Sequence, residues 1–173
     1  MSDPPRVSGP GRAGGPRPED TVEELLARHR LRRVDAVNAS ACRDWLNDAT
    51  QHVSSARAIA TGDPRGALAL CHAAIRKAIT AHMQANRLRP EAGEGSHRAT
   101  VAYARERMAD LLDADTLDGL ELVREQRNAS DYGDEPSRSV GPRQAEQAVV
   151  IAEAVVTATR RWIVPRLGPP RRQ

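Results

Sequence analysis

Residues 64–86, PRGALALCHAAIRKAITAHMQAN, carry the pattern that decides the fold of this chain. Small and aliphatic residues recur there at steps of three and four, which places them on one face of an α-helix. Asp63 and Pro64 suit the N-cap and the first position of that helix. The pattern therefore predicts a long helix with one apolar face, made of Ala67, Leu68, Cys71, Ala74, Ile75, Ala78, Ile79 and His82.

The same spacing recurs on both sides of this helix. Thr21 and Glu24 form a capping box, which predicts a short helix beginning near Thr21. The segment 88–97 contains Pro and Gly and predicts a loop, and no strand is predicted. Apolar stripes predict further helices at about 40–60, 97–112, 115–132 and 142–164. Because short connections make neighbouring helices antiparallel, we expect an all-α protein, an antiparallel up-and-down four-helix bundle with a short extra N-terminal helix.

The composition excludes several classes of protein. Only 2% of the 173 residues are aromatic and none is Phe, whereas the strands of β-sandwiches and barrels favour aromatic and β-branched residues. The longest apolar runs are too short to cross a bilayer, and the N-terminus lacks the apolar h-region of a secretory signal. We therefore expect a small, soluble cytoplasmic protein with no membrane partner.

The charge of the chain is a mild positive excess. Lys77 is the one Lys among 26 basic residues, which leaves 25 Arg, and the net charge is +3. Arg binds phosphate bidentately and suits nucleic acid, but a GC-rich genome would favour Arg codons equally well. We expect residues 1–19, which are rich in Pro, Gly and Arg, to form a disordered basic tail. The helical domain is predicted over residues 20–167, and a second disordered tail over residues 168–173.

The cysteines and histidines show no metal-binding pattern. Cys42 and Cys71 fall in helical patterns and are interpreted as small, reduced core residues. No zinc-ligand spacing and no Gly-rich phosphate loop is present, so we expect no metal and no cofactor. His97 is interpreted as a residue near a helix cap, whereas His29, His52 and His72 show no common geometry.

The apolar stripe of the predicted helix over 115–132 continues into charged residues towards the end of the helix. At about 100° per residue, the stripe continues from two leucines through Arg124, Arg127 and Asp131. Burying charge is costly unless it is paired, so packing alone does not favour this arrangement. In one interpretation Arg124 and Arg127 form a phosphate site. In the other they form helix-surface salt bridges, with Glu121 and Asp131 respectively.

Neighbouring residues extend the candidate phosphate site. Asn128 adds amide donors, and Tyr132 offers a phenol or a face for base stacking. His82, on the apolar face of the helix over 64–86, is either a hydrogen-bonded core histidine or an imidazole that faces Arg124 and Arg127. Both interpretations of His82 stay open from the sequence.

Three segments together resemble one protein family. RNASDY at 127–132, followed by a polar loop and a last helix rich in Ala and Val, resembles the HEPN domain (higher eukaryote and prokaryote nucleotide-binding). AAIRKA at 73–78 and NRLRP at 86–90 resemble the second long helix of that fold and the chain that follows it. The resemblance covers about 40–167 and is nearest to an actinobacterial branch of the family.

The resemblance implies RNA or nucleotide chemistry in a homodimer whose subunits bring their motifs into one cleft. Many HEPN proteins are metal-independent ribonucleases. Their sequence signature is an Arg followed, after four to six residues, by a His. Arg127 and Asn128 match the start of that signature, whereas Asp131 or Tyr132 stands at the His position. Neither side chain is a ready acid or base near neutral pH. Arg65 with His72, and Arg76 with His82, also fit the spacing and are interpreted as accidental.

The sequence therefore predicts a helical module that binds RNA or nucleotide phosphates, with weak or lost ribonuclease activity. Whether the chain is an enzyme stays open; an active form would be a metal-independent endoribonuclease. The implied catalytic residues are Arg127, Asn128, Asp131 and Tyr132, and the predicted phosphate-binding residues are Arg124, Arg127, Tyr132 and His82. The alternative is a non-catalytic partner subunit or interaction module of a toxin–antitoxin or minimal nucleotidyltransferase pair.

Overall fold

The computed structural model describes residues 17, 19–93, 95–132 and 140–168, without the side chains of 128–132. The two predicted tails, 1–19 and 168–173, lie almost wholly outside these residues. Within them the chain is mostly helical, as predicted. The helices are α1 (Val22–Ala27), α2 (Ala39–Ile59), α3 (Pro64–Ala85), α4 (Ser96–Arg107), α5 (Ala114–Tyr132) and α6 (Pro142–Ile163), followed by a short 3-10 helix (Val164–Arg166).

The starts of α1 and α3 follow the signals in the sequence. The Thr21 amide donates to the Glu24 carboxylate at 2.8 Å, and the Glu24 amide donates to the Thr21 hydroxyl at 3.2 Å, which completes the capping box. The Asp63 carboxylate accepts a hydrogen bond from the Gly66 amide at 2.9 Å, and Pro64 occupies the first turn of α3. Both predicted helix starts are confirmed.

Two short strands were not predicted. β1 (Leu31–Arg33) pairs antiparallel with β2 (Leu88–Pro90), with Leu31 opposite Pro90. The prediction of a loop over 88–97 is therefore wrong at residues 88–90. Each strand has three residues, so neither shows the alternation by which a strand is recognised, and the pairing joins segments far apart in the chain.

The helix predicted over 97–112 is shorter than expected. α4 ends at Arg107, and the chain continues in turns. The amides of Leu111 and Leu112 both donate to the Met108 carbonyl, at 2.9 and 3.0 Å. The apolar spacing at these positions therefore reflects a compact turn against the core and not a continuing helix.

α3 is the central helix of the domain. It packs against α2, α4, α5 and α6, while α2 also contacts α6 and α5 contacts both α4 and α6. Every residue of its predicted apolar face is buried. Cys42 and Cys71 are buried free thiols, and burial raises their pKa values to about 11 and about 12. The cysteines are thus core residues that stay protonated at neutral pH.

α5 and α6 approach each other closely at Gly119. A Cβ atom at this position would lie 2.6 Å from Ile151 Cδ1, closer than van der Waals contact allows. The absent side chain therefore lets α5 lie against α6 at Ile151. In the part of the chain that is described, no helix is long and apolar enough to cross a membrane.

Candidate phosphate-binding site

Arg124 is a buried cation near the middle of α5. The residue is 7% exposed. Its Nε donates to both carboxylate oxygens of Glu121 at 3.0 Å, its Nη2 also bonds Glu121, and Glu125 lies 3.8 Å away. These hydrogen bonds with Glu121 raise the pKa of Arg124. The expected Arg124–Glu121 salt bridge is thus present, but it is largely buried instead of lying on the helix surface.

Two histidines from other helices lie beside Arg124. His72 is on α3 and His97 is in the first turn of α4, and their ring centroids are 4.9 Å apart with planes inclined by 32°. Both rings line one pocket with Arg76 and Arg124, and its remaining wall is formed by Ile75, Ile79, Thr100, Val101, Leu120 and Val123. We define the Arg–His cluster as the four basic residues that line this pocket, together with Arg127, whose charge acts on both histidines: His72, Arg76, His97, Arg124 and Arg127.

Positively charged side chains act on the two histidines of the Arg–His cluster. Burial is the main cause that lowers the pKa of His72 to about 4, and the positive groups nearby act in the same direction. These groups are His97, Arg76, Arg127 and Arg124. Burial and the same three arginines also lower the pKa of His97. Both shifts favour the uncharged imidazole, and His72 is uncharged at neutral pH.

The start of α4 adds to the positive potential. Its N-cap is Gly95, with φ at +88°, which has no side chain to bond the amides of the first turn, and that turn holds no acidic residue. A helix N-terminus attracts anions through its exposed amides and dipole. His97 Nδ1 is buried and has no hydrogen-bond partner among the described residues. One ring nitrogen of the cluster is therefore left without a hydrogen bond within the described part of the chain.

Two of the predicted site residues on α5, Arg124 and Arg127, have described side chains that lie in or next to this cluster. Arg127 is half-buried one turn beyond Arg124, and its charge acts on both histidines. Asn128, Asp131 and Tyr132 follow on the same helix, but their side chains lie outside the described residues. The expected Arg127–Asp131 pair, and the roles assigned to these three residues, accordingly stay predictions.

His82 lies elsewhere in the fold. It is 2% exposed, its Nδ1 is 2.9 Å from the Tyr103 hydroxyl, and its ring centroid is 4.3 Å from that of Trp162. Burial lowers its pKa to about 4, with a smaller effect from Arg166. His82 is not among the described residues that line the pocket at Arg124. This is the geometry of a hydrogen-bonded core histidine, and a binding role for His82 stays a prediction.

Sequence reasoning missed three members of the cluster. His72 and Arg76 lie four residues apart, hence on one side of α3, and this was the one local signal that linked them. His97 carried no such signal, because its proximity to His72 depends on how α4 packs. Among the described residues, no group of three or more His, Cys, Asp or Glu side chains is placed to hold a metal ion.

A second basic groove lies between α2 and α6. It is lined by Arg57, Arg160 and Arg161, among others. Arg57 is paired with Glu153 at 2.5 Å, and Arg160 Nη2 donates to the Leu46 carbonyl at 3.0 Å. Among the described residues, no histidine lines this groove. It therefore lacks the combination of imidazole and guanidinium groups that defines the Arg–His cluster.

Comparison with known proteins identifies one family. A family model described as HEPN domain matches residues 42–162, which is more than half of the chain. The match begins within α2, ends within α6 and includes every residue of the Arg–His cluster. No curated protein and no solved structure matches the chain.

Proposed function

Because the chain belongs to the HEPN domain family, we propose that it binds RNA or nucleotide phosphates at the Arg–His cluster. HEPN domains are helical modules that are often related to nucleotides or RNA. The observation that carries the proposal is that Arg76 and Arg124, from two helices, line one pocket with His72 and His97. The charge of Arg127 also acts on both imidazoles. A bound anion would reduce the repulsion among these cations, which Glu121 already offsets in part at Arg124.

The residues of the cluster suit a phosphate group. A guanidinium donates two parallel hydrogen bonds to phosphate oxygens, and a neutral imidazole donates one N–H. Arg76 is exposed and Arg127 is half-exposed, so a ligand can reach both from solvent. We infer that Asn128, directly after Arg127, and Tyr132, about one turn further along α5, extend the site towards the base or sugar.

The proposal includes the arrangement and activity that the family resemblance implies. The helices α2, α3, α5 and α6 would form the four-helix bundle, and two copies of the chain would bring their clusters together across a homodimer. Ribonuclease activity would be weak or lost, because Asp131 or Tyr132 stands where the family motif has His. An active form would cleave RNA without a metal ion.

A second function is favoured by one specific observation. The Arg124–Glu121 pair satisfies the buried guanidinium without a ligand, so part of the ionic stripe on α5 already has a structural role. In this alternative the chain is a non-catalytic partner of an antitoxin or a minimal nucleotidyltransferase. Co-purification of such a protein with the tagged chain, together with no RNA binding, would favour it.

RNA binding by matched variants tests the proposed function. Fluorescence anisotropy of labelled single-stranded RNA at low salt would compare the wild type with Arg76→Ala, Arg127→Ala and Arg161→Ala. The first two remove a cation from the cluster and should weaken binding about tenfold each. Arg161→Ala removes the same charge from the groove between α2 and α6 and should have little effect. Equal affinities for folded samples of all four proteins would reject the proposal.

A further inference from the structure

The ribbon formed by β1 and β2 carries a row of arginines on its outward face. Side chains alternate between the two faces of a strand, and the buried Leu31 and Leu88 mark the face that lies on the core. Arg32 and Arg89 stand directly opposite each other and occupy the other face. Arg87, two residues before Arg89, is exposed and continues this row. The ribbon thus presents three arginines on its outward side.

The pairing of the strands does not favour this arrangement. Like charges directly opposite each other destabilise an antiparallel pair, and a two-stranded ribbon has little stability of its own. Arg32 pairs with Glu91 at 3.5 Å, but both side chains are half-exposed, where an ion pair contributes little. In the described part of the chain, neither Arg87 nor Arg89 forms a salt bridge with a carboxylate. A bound anion would reduce the repulsion between these cations.

Both strands begin next to a basic residue in a strained conformation. His29, two residues before β1, and Arg87, directly before β2, have φ at +51° and +58°. They are the two non-glycine residues with positive φ among those described. Glycine adopts this left-handed region without strain, and strained side chains cluster at functional sites. The backbone therefore points to a use for the basic side chains at the ribbon.

α2 supplies an aromatic residue to the same face. The guanidinium carbon of Arg89 lies 5.7 Å from the ring centroid of the half-buried Trp45. A guanidinium held over an aromatic ring keeps N–H donors at its edge, where a phosphate accepts two of them in parallel. Proteins that bind single strands combine cations along the backbone with aromatic rings for the bases. The ribbon and Trp45 offer both.

We propose that Arg32, Arg87 and Arg89 of the ribbon, with Trp45, form a contact surface for the phosphate backbone of single-stranded RNA. Arg87 and Arg89 lie about 7 Å apart along the strand, close to the spacing of successive phosphates in an extended single strand. None of these residues lines the pocket at Arg124. The surface therefore goes beyond the proposed function, since it holds RNA whether or not the Arg–His cluster does.

The carboxylates that border this face favour a narrow ligand. Glu91 directly follows β2, and the exposed Glu23 on α1 pairs with Arg33 at 3.1 Å. A flat anionic membrane would meet these carboxylates as well as the arginines. A single strand can follow the row of arginines alone, so the charges favour RNA over a lipid surface.

The salt dependence of RNA binding tests this inference. Fluorescence anisotropy of a labelled oligouridine of about 12 nucleotides, between about 50 and 200 mM salt, gives the affinity and its salt slope. Each phosphate contact with a single strand contributes about 0.7 to that slope. We therefore expect Arg87→Gln/Arg89→Gln to reduce the slope by about 1.4 and to weaken binding at low salt about tenfold.

Arg33→Gln is the matched control, and circular dichroism checks that each variant is folded. It removes a cation from the same ribbon, but Arg33 alternates with Arg32 and already pairs with Glu23, so the slope should be retained. An unchanged slope for Arg87→Gln/Arg89→Gln, or an equal fall per arginine for Arg33→Gln, would overturn the inference. Loss of binding to phosphatidylserine vesicles with unchanged RNA affinity would also overturn it, in favour of a membrane.

Emission from Trp45 gives a direct readout. The chain has two Trp residues, so Trp162→Phe leaves Trp45 as the one fluorophore of this kind. Added oligouridine should change its emission, and Arg87→Gln/Arg89→Gln should weaken that response about tenfold. Emission that does not respond to bound RNA would overturn the ribbon contact.

The same titrations separate this inference from the proposed function. If Arg76→Ala and Arg127→Ala bind RNA as the wild type does while Arg87→Gln/Arg89→Gln binds weakly, the proposed function fails and the ribbon contact stands. The reverse pattern would overturn the ribbon contact and leave the proposed function standing. No RNA binding by the wild type would overturn both.

Discussion

Arg124 Nε donates hydrogen bonds to both carboxylate oxygens of Glu121, each at 3.0 Å, and Arg124 also lines the pocket shared with His72 and His97. The pair connects the stability of α5 to the proposed site. While Glu121 holds the guanidinium, Arg124 contributes a positive field to the histidines but has a partner of its own. A ligand phosphate would compete with Glu121 for that guanidinium.

Glu121→Gln tests this competition. The substitution leaves a buried cation with a neutral partner and should lower the free energy of unfolding by about 1–3 kcal/mol. Added inorganic phosphate should then stabilise the variant more than it stabilises the wild type, because Arg124 becomes available to it. Urea unfolding with and without phosphate measures both effects. Glu125→Gln is the control: this carboxylate is 63% exposed and lies 3.8 Å from Arg124, so its loss should change stability little. Identical behaviour of the two variants would contradict the prediction.

Tyr103→Phe tests the hydrogen bond that holds His82 in the core. The Tyr103 hydroxyl lies 2.9 Å from His82 Nδ1, and both residues are buried. Removing the hydroxyl leaves the ring nitrogen with a weaker contact to Asn86 at 3.4 Å. We expect a loss of about 1–3 kcal/mol in unfolding free energy, measured by urea titration. In a His82→Leu background the same substitution should cost less. An equal cost in both backgrounds would show that the hydroxyl stabilises the fold by another contact.

Buried histidines should make the fold sensitive to acid. The pKa values of His72 and His82 are lowered to about 4 in the folded protein, chiefly by burial, and lie near 6.5 in the unfolded chain. As the pH falls below about 6.5 the unfolded state therefore binds protons first, and stability should decrease progressively down to about pH 4. Above about pH 6.5 these two groups should contribute no pH dependence.

Urea unfolding across this pH range, in buffers without phosphate, measures the effect. His82→Gln should show a smaller loss of stability between neutral and acid pH than the wild type, because one linked group is removed. The carboxylates titrate in both proteins, so the difference between the two curves isolates the histidine. Parallel curves would contradict a neutral buried His82.

Gly119→Ala tests the close approach of α5 and α6. Alanine favours a helix over glycine by about 1 kcal/mol, but its Cβ would lie 2.6 Å from Ile151 Cδ1. Because overpacking costs about 1–3 kcal/mol, we expect the substitution to destabilise the wild type. In an Ile151→Ala background, where that atom is absent, the same substitution should stabilise. Thermal unfolding measures the sign of the stability change in each background. A stabilising effect in both would contradict the prediction and show that Ile151 accommodates the added Cβ at little cost.

The helices could be predicted because their signals are local. The capping box of Thr21 and Glu24, the Asp63–Pro64 start and the apolar face of α3 each depend on residues within a few turns of one another. β1 and β2 could not be predicted, because three-residue strands have no pattern of their own and pair only when the chain brings residues 31–33 to residues 88–90.

The residues of the candidate site likewise include some that the sequence could predict and some that it could not. Arg124 and Arg127 were identified from the sequence because they interrupt an apolar stripe, and a buried charge needs a partner or a function. His72 and His97 were not connected, since nothing in the spacing of residues on α3 reports which helix packs beside it. His82 was the more conspicuous histidine in sequence, yet the fold places it against Tyr103 and Trp162.

The sequence by itself determined the helical class of this protein, the starts of α1 and α3, and the arginines on α5, because helix formation and charge placement depend on neighbours in the chain. Only the tertiary structure decided which imidazoles meet those arginines. That choice depends on how α3, α4 and α5 pack, and packing is set by the shapes of buried surfaces such as that at Gly119. The Arg–His cluster is therefore a product of the fold, assembled from residues that share no motif.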